Sequence, residues 1–195
     1  MVRLIAALVF LSFAIPVQAQ EIAESHTGTK FAAKLGDSSL LGTGLRTKTM
    51  LKVKVYAAGF YVADSAAAGP LKGKAAAPDL YQQLVNGDFH KTIVMKFLRD
   101  VSTSQIRDAF RESLGNAGPT TETWLAYFND IKNGQEIVLS WIPGTGLTTQ
   151  VAGADKAPIN DKAFASAVFS IWFGAKPVQE DLKKDLVARG PEVLK

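Results

Sequence analysis

Leu40 to Asp64, LLGTGLRTKTMLKVKVYAAGFYVAD, is the stretch on which the fold turns. It reads as two β-strands joined by a tight connection. The first, Ser38 to Lys48, carries one arginine, Arg46, just after Gly42 and Gly44. The second, Met50 to Ala63, opens with period-two alternation. Leu51, Val53, Val55 and Ala57 fall on one face, and Lys52, Lys54 and Tyr56 on the other. A cation and a phenol are therefore expected on neighbouring strands beside an apolar surface. That pair suits an anionic or phenolic head attached to an apolar body. Gly59, inside the second strand, signals a bulge or a close backbone approach.

Working outward, weak alternation through Phe31, Ala33 and Leu35 predicts a first strand within Glu21–Lys34. Ser65 to Ala77 is a loop by composition, and Pro78 to Val85 a short helix with proline in its first turn. Phe89 to Arg99 alternates as a strand. Ser102 with Gln105 matches a capping box, opening a helix with the stripe Ile106, Ala109, Phe110 and Leu114 and closing at Gly115. A second helix is expected over Thr120 to Lys132, followed by a hairpin of Gln135–Ile142 and Leu147–Val151 around Pro143-Gly144-Thr145-Gly146. Asn160 can cap a helix that runs through Phe173, and a last helix over Val178 to Ala188 buries Leu182 and Leu186. Strands and helices come in blocks without a βαβ repeat. The predicted class is α+β, a largely antiparallel sheet with helices packed on one face.

Composition narrows the functions. Met1 to Ala19 has the features of a secretory signal: Arg3, the apolar run Leu4 to Ile15, and Val17-Gln18-Ala19 as a small-residue cleavage site. Residues 1–19 are thus expected to be removed, residues 20–195 to form one domain, and the mature protein to be exported, in bacterial terms to the periplasm. No segment is long and apolar enough to predict stable membrane insertion. The chain has no cysteine, so stability is expected to rest on packing. The formal charge is +4, and it falls by one if Arg3 is removed. Its basic residues are scattered, which argues against nucleic acid as a partner. With only His26 and His90, and no cysteine, no metal site is expected. Gly42-Thr43-Gly44 is no dinucleotide fingerprint: the third glycine is missing and a strand follows. No cofactor is implied. His90 reads as a surface or rim residue, and Trp124, Phe128, Phe164, Phe169 and Trp172 as core.

GTGLR, VYAAGFYV and the closing NDKAFASAVFSIWFGAKPVQEDLKKDL, in this order, resemble the chalcone isomerase-like family, and its bacterial exported members most of all. The resemblance runs from about Gly36 to Arg189. It implies an open-faced β-sandwich, a curved antiparallel sheet with helices against it and a cleft between. The family includes isomerases that cyclise a chalcone, fatty-acid-binding proteins and members without known activity, so fold alone does not decide function.

By this resemblance, Arg46 matches the arginine that steadies developing negative charge in the isomerases. Tyr56 stands where those enzymes have a threonine and the fatty-acid-binding members a tyrosine that contacts the ligand carboxylate. Phe97, Ile106, Ser113 and Ile171 fall where the isomerases have a lysine, a tyrosine, an asparagine and a threonine or serine. The loss of one oxyanion donor alone costs about 100- to 1,000-fold in rate. The resemblance therefore implies an exported binding protein for a small apolar ligand with an acidic head, such as a fatty acid, without chalcone isomerase activity. Arg46, Tyr56, Phe97, Ile106, Ser113 and Ile171 are its expected contacts. The alternatives are an isomerase or intramolecular lyase with Arg46 as charge stabiliser and Tyr56 as acid, and an interaction module whose cleft is filled. For Arg46 itself, the plain alternative is a structural ion pair.

Overall fold

Seven strands pair antiparallel in chain order and curl into one sheet: β3 (Lys34–Leu35), β4 (Ser38–Lys48), β5 (Val53–Ala63), β6 (Lys91–Phe97), β7 (Glu136–Ile142), β8 (Gly146–Val151) and β9 (Ala154–Asp155). The computed structural model describes residues 20–49, 51–115 and 118–195, so the expected leader, residues 1–19, lies outside the described residues. The long helix α5 (Lys162–Phe173) packs on one face, with α2 (Leu80–Asn86), α3 (Thr103–Leu114) and α4 (Pro119–Leu125) around it. Phe60, Ile93, Met95, Ile137 and Leu139 of the sheet meet Val168, Phe169 and Trp172 of α5 in the main core. Trp124, Phe128 and Phe164 are buried there as well.

The curved antiparallel sheet with helices packed on one face is as the sequence predicts, and a small hairpin sits on the other face. β1 (Glu21–Ala23) and β2 (Lys30–Ala32) form this separate hairpin, where a single strand was expected. Phe31 and Ile22 pack there on Leu40, Ala57, Tyr61 and Val94, and the Tyr61 hydroxyl donates to the Ala32 carbonyl at 2.9 Å. Gly59 makes room for this contact: a Cβ at that position would lie 2.6 Å from the Phe31 ring. Gly59 stays in register with Thr43 and Val94, so its signal meant close approach and not a bulge.

The bulge lies four residues earlier. Arg46 pairs with Tyr56 and Thr47 with Lys54, which leaves Val55 as the extra residue. A single insertion flips the alternation. Tyr56 therefore joins Ala58 and Phe60 on the helix-facing side and Ala57 the opposite one, the reverse of the predicted split. The strand starts at Val53, and Leu51 stands in the connecting loop.

Other expectations shift for local reasons. Asp161 caps α5, its side chain accepting from the Phe164 N–H at 2.9 Å, in place of Asn160. α4 stops at Leu125, and Ile131 bridges back to Val101. The predicted loop after β5 begins with the short helix α1 (Asp64–Ala67). The last predicted helix is reduced to α6 (Glu180–Asp185), followed by α7 (Gly190–Val193).

β4 lacks a strand partner on its outer side beyond Ser39. The C-terminal segment closes this edge. Arg189 donates to the carbonyls of Leu40 and Leu41, through its side chain and its N–H, both at 2.9 Å. The Gln179 side chain donates to the Leu45 carbonyl at 3.2 Å and accepts from the Thr47 N–H at 3.0 Å. Gly42 and Gly44 let α6 lie this close: a Cβ on either would meet Asp185 at 2.2 or 2.8 Å.

Candidate functional site

The two glycines therefore have a consequence two residues on. Gly42, Gly44 and Arg46 alternate onto one face of β4. Just ahead of α6, Gln179 meets Arg46, which is half-buried beside its amide. Its guanidinium donates to the Thr47 carbonyl and, at 3.3 Å, to Gln179 Oε1. No carboxylate pairs with it among the described residues. The plain alternative, a structural ion pair, is thus not what the geometry shows.

Opposite Arg46 in register stands Tyr56, 9% exposed. Its hydroxyl accepts from Trp172 Nε1 at 3.1 Å, which leaves the phenolic proton available to donate. Burial pushes the Tyr56 phenol above its ordinary value; the Trp172 hydrogen bond and the charge of Arg46 oppose the shift less strongly. At neutral pH this is a neutral donor next to a permanent cation.

Both groups open into a cleft of about 580 Å³, a size suited to a small organic ligand. The bulged start of β5 contributes Val53 and Val55, and β6 contributes Met95 and Phe97. The capping box is present at α3: Gln105 N–H donates to Ser102 Oγ at 3.3 Å, and Ser102 N–H to Gln105 Oε1 at 3.0 Å. Starting there, α3 turns Ile106 and Phe110 into the cleft, and α5 adds Ile171 and Trp172. All six residues singled out from sequence line this one cavity. Phe97, Ile106 and Ile171 are 4–5% exposed walls. Ser113 lies at the exposed edge, its hydroxyl engaged by the Ala109 carbonyl at 2.9 Å. His90 lines no part of it.

Sequence reasoning missed two groups. Trp172 reads as core by helical spacing, and it is core; that its indole N–H also orients the Tyr56 hydroxyl needs the β5 bulge to be known. Gln179 gave no periodic signal, because it acts from the turn before α6. The rim of the cleft carries Lys48, Arg99 and Lys176 against one acid, Glu112. Among the described residues no group of acids and histidines could hold a metal ion.

A curled antiparallel sheet backed by helices, with a cleft between them, is the architecture of the chalcone isomerase-like class. The profile of the family described as chalcone isomerase-like matches residues 19–188, and the chain belongs to that family. Among its relatives is chalcone isomerase-like protein 1 of Humulus lupulus, 30% identical over 77% of this chain and 81% of that one. Fatty-acid-binding protein 1 of Arabidopsis thaliana is 25% identical over 86% of this chain and 70% of its own length. A crystal structure of an Arabidopsis thaliana fatty-acid binding protein superposes with a TM-score of 0.76 at 21% identity, covering 90% of this chain and 99% of that one, which establishes the shared fold.

Proposed function

We propose that this protein binds a fatty acid or a similar amphipathic acid, and does not cyclise chalcones. Fatty-acid-binding protein 1 of Arabidopsis thaliana, which the chain matches over 86% of its own length, is named for fatty-acid binding. The observation that carries the reading is the Arg46–Tyr56 pair: a half-buried guanidinium without a carboxylate partner among the described residues, facing a buried phenol with a donatable proton, at the end of an apolar cleft. The guanidinium takes one carboxylate oxygen and the phenol the other, and Phe97, Ile106, Phe110 and Ile171 enclose the tail. Phe97, Ile106 and Ile171 stand where the resemblance sets polar groups of the isomerases, so an enolate formed here lacks those stabilising donors. The features of Met1 to Ala19 support export to the periplasm before the ligand is taken up.

Native mass spectrometry of the purified protein, followed by titration with fatty acids and with the alcohols of the same chain length, tests this. A bound acid is expected, on a chain shortened by residues 1–19. Arg46→Ala is expected to weaken acid binding about 10- to 100-fold and leave alcohol binding unchanged. Equal affinity for acid and alcohol, or no binding of either, overturns the reading.

A further inference from the structure

We propose that the mouth of this cleft docks on an anionic lipid surface, with the β4–β5 loop placing Leu51 among the headgroups. Leu51 is 87% exposed, and the one other exposed large apolar side chain among the described residues is Leu35, at 40%. Leu35 pairs with Ser38 at the opposite end of β4, about 30 Å away at the ordinary strand rise. The most exposed apolar group thus stands in the loop between Thr49 and Val53, which both line the cleft. Beside it the Lys52 N–H donates to the Thr49 carbonyl at 3.0 Å.

Charge completes the surface. Lys52 follows Leu51, and Lys48, Arg99 and Lys176 line the mouth; all four are exposed and none pairs with a carboxylate among the described residues. Elsewhere Lys34, Lys74, Arg111 and Lys132 pair with acids, whereas Lys72 and Lys184 stand alone among the described residues and apart from the cleft. Glu112 is the single acid of the lining. Spread cations around one apolar tip match a plane of anionic headgroups, which needs no register, better than a protein groove, which does. This is docking on a surface and not insertion across it: no described helix is long and apolar enough to span a bilayer. The orientation rests on the binding role proposed above, since it sets the cleft where an acid can pass between bilayer and protein without crossing water.

Flotation with vesicles of phosphatidylcholine, alone or mixed with phosphatidylglycerol, tests the docking without any fatty acid present. Binding to the mixed vesicles only, weakened by added salt, is expected. Lys52→Glu is expected to lower it about fivefold or more, Leu51→Asp at least tenfold, and Leu35→Asp not at all. Leu51→Trp, which adds no charge, is expected to shift its emission to the blue on mixed vesicles, and Leu35→Trp to show no shift. Equal binding to neutral vesicles, no binding, or a silent Leu51→Asp overturns the proposal. Fatty-acid titration of Leu51→Asp in vesicle-free solution is expected to match the unaltered protein. A failure of acid binding and a failure of docking are thereby read separately.

Discussion

Two cations turn inward from the same sheet, and they are used in opposite ways. Lys91, at the start of β6, is 2% exposed. Its ammonium donates to the carbonyls of Leu84, Val85 and Gly87 at 2.7, 2.8 and 3.2 Å, so all three of its donors are engaged at the C-terminal end of α2. It also lies over the Phe89 and Phe169 rings. Arg46, at the other end of the sheet, has one carbonyl and one amide as partners, and the rest of its five-donor fork faces the cleft. A buried cation with every donor matched supports the fold. One left with open donors beside apolar walls is ready for an anion. The identity of the residue alone does not separate the two; the count of its partners does.

Lys91→Met gives the largest effect. It strips three carbonyls of their donor and is expected to lower unfolding stability by about 3 kcal/mol, measured by denaturant titration. Fatty-acid affinity of the folded fraction is expected to stay within about twofold, because stability and binding act at separate sites. Arg46→Ala should do the reverse, weakening the acid and leaving the unfolding midpoint in place. A Lys91→Met protein that folds fully but no longer binds would dissolve the contrast.

Much of this was legible beforehand, and the misses share a cause. The order of the strands β4 to β8 and the capping box of α3 are local patterns, and they appear in the structure as read. The six cleft residues were located through the family resemblance, Arg46 and Tyr56 by GTGLR and VYAAGFYV and Ile171 by the closing helix, and they do line one cavity. The face of Tyr56 was misassigned because one extra residue, Val55, inverts a period-two reading, and nothing in the composition marks a bulge. Lys91 alternates correctly onto the face of Ile93, Met95 and Phe97, yet a lysine at a core position is ordinarily read as an error of pattern. Its partners are the end of a helix met earlier in the chain. Gln179 and Trp172, by contrast, act through contacts more than one hundred residues apart, as their separations of 132 and 116 show.

The same contrast predicts a pH dependence. Burial pushes Lys91 down to about 7 from 10.5, with the Lys162 charge helping and Asp88 opposing. Between those values the unfolded chain holds a proton that the folded one has released. Stability therefore rises with pH across that window, with a slope approaching 1.4 kcal/mol per pH unit. Above about 10 the sign reverses, because Tyr56 and Tyr61, both raised by burial, ionise first in the unfolded chain. Urea titrations at closely spaced pH values should show the rise, and Lys91→Met should abolish it. A profile that is flat between pH 7 and 10 in the unaltered protein would mean that the three carbonyls hold the proton against burial.

The smallest effect probes whether Arg46 and Tyr56 act on one oxygen pair. Tyr56→Phe removes the phenolic proton and leaves Trp172 Nε1 without its acceptor, so about 1 kcal/mol of stability is expected to go with it. Loss of acid affinity should be nearer fivefold, since a neutral donor contributes less than a charged one. Size does not decide the matter, because a ring rotated by the loss of the Trp172 contact could weaken binding without ever touching the acid. The double-mutant cycle does. If guanidinium and phenol hold the same carboxylate, removing Arg46 lets the head drift from Tyr56. The combined Arg46→Ala, Tyr56→Phe protein then loses less than the two single losses added, by about 1 kcal/mol. Additivity within about 0.5 kcal/mol would place the acid on the arginine alone, with Tyr56 left to pack against Phe97 and Trp172 as part of the wall.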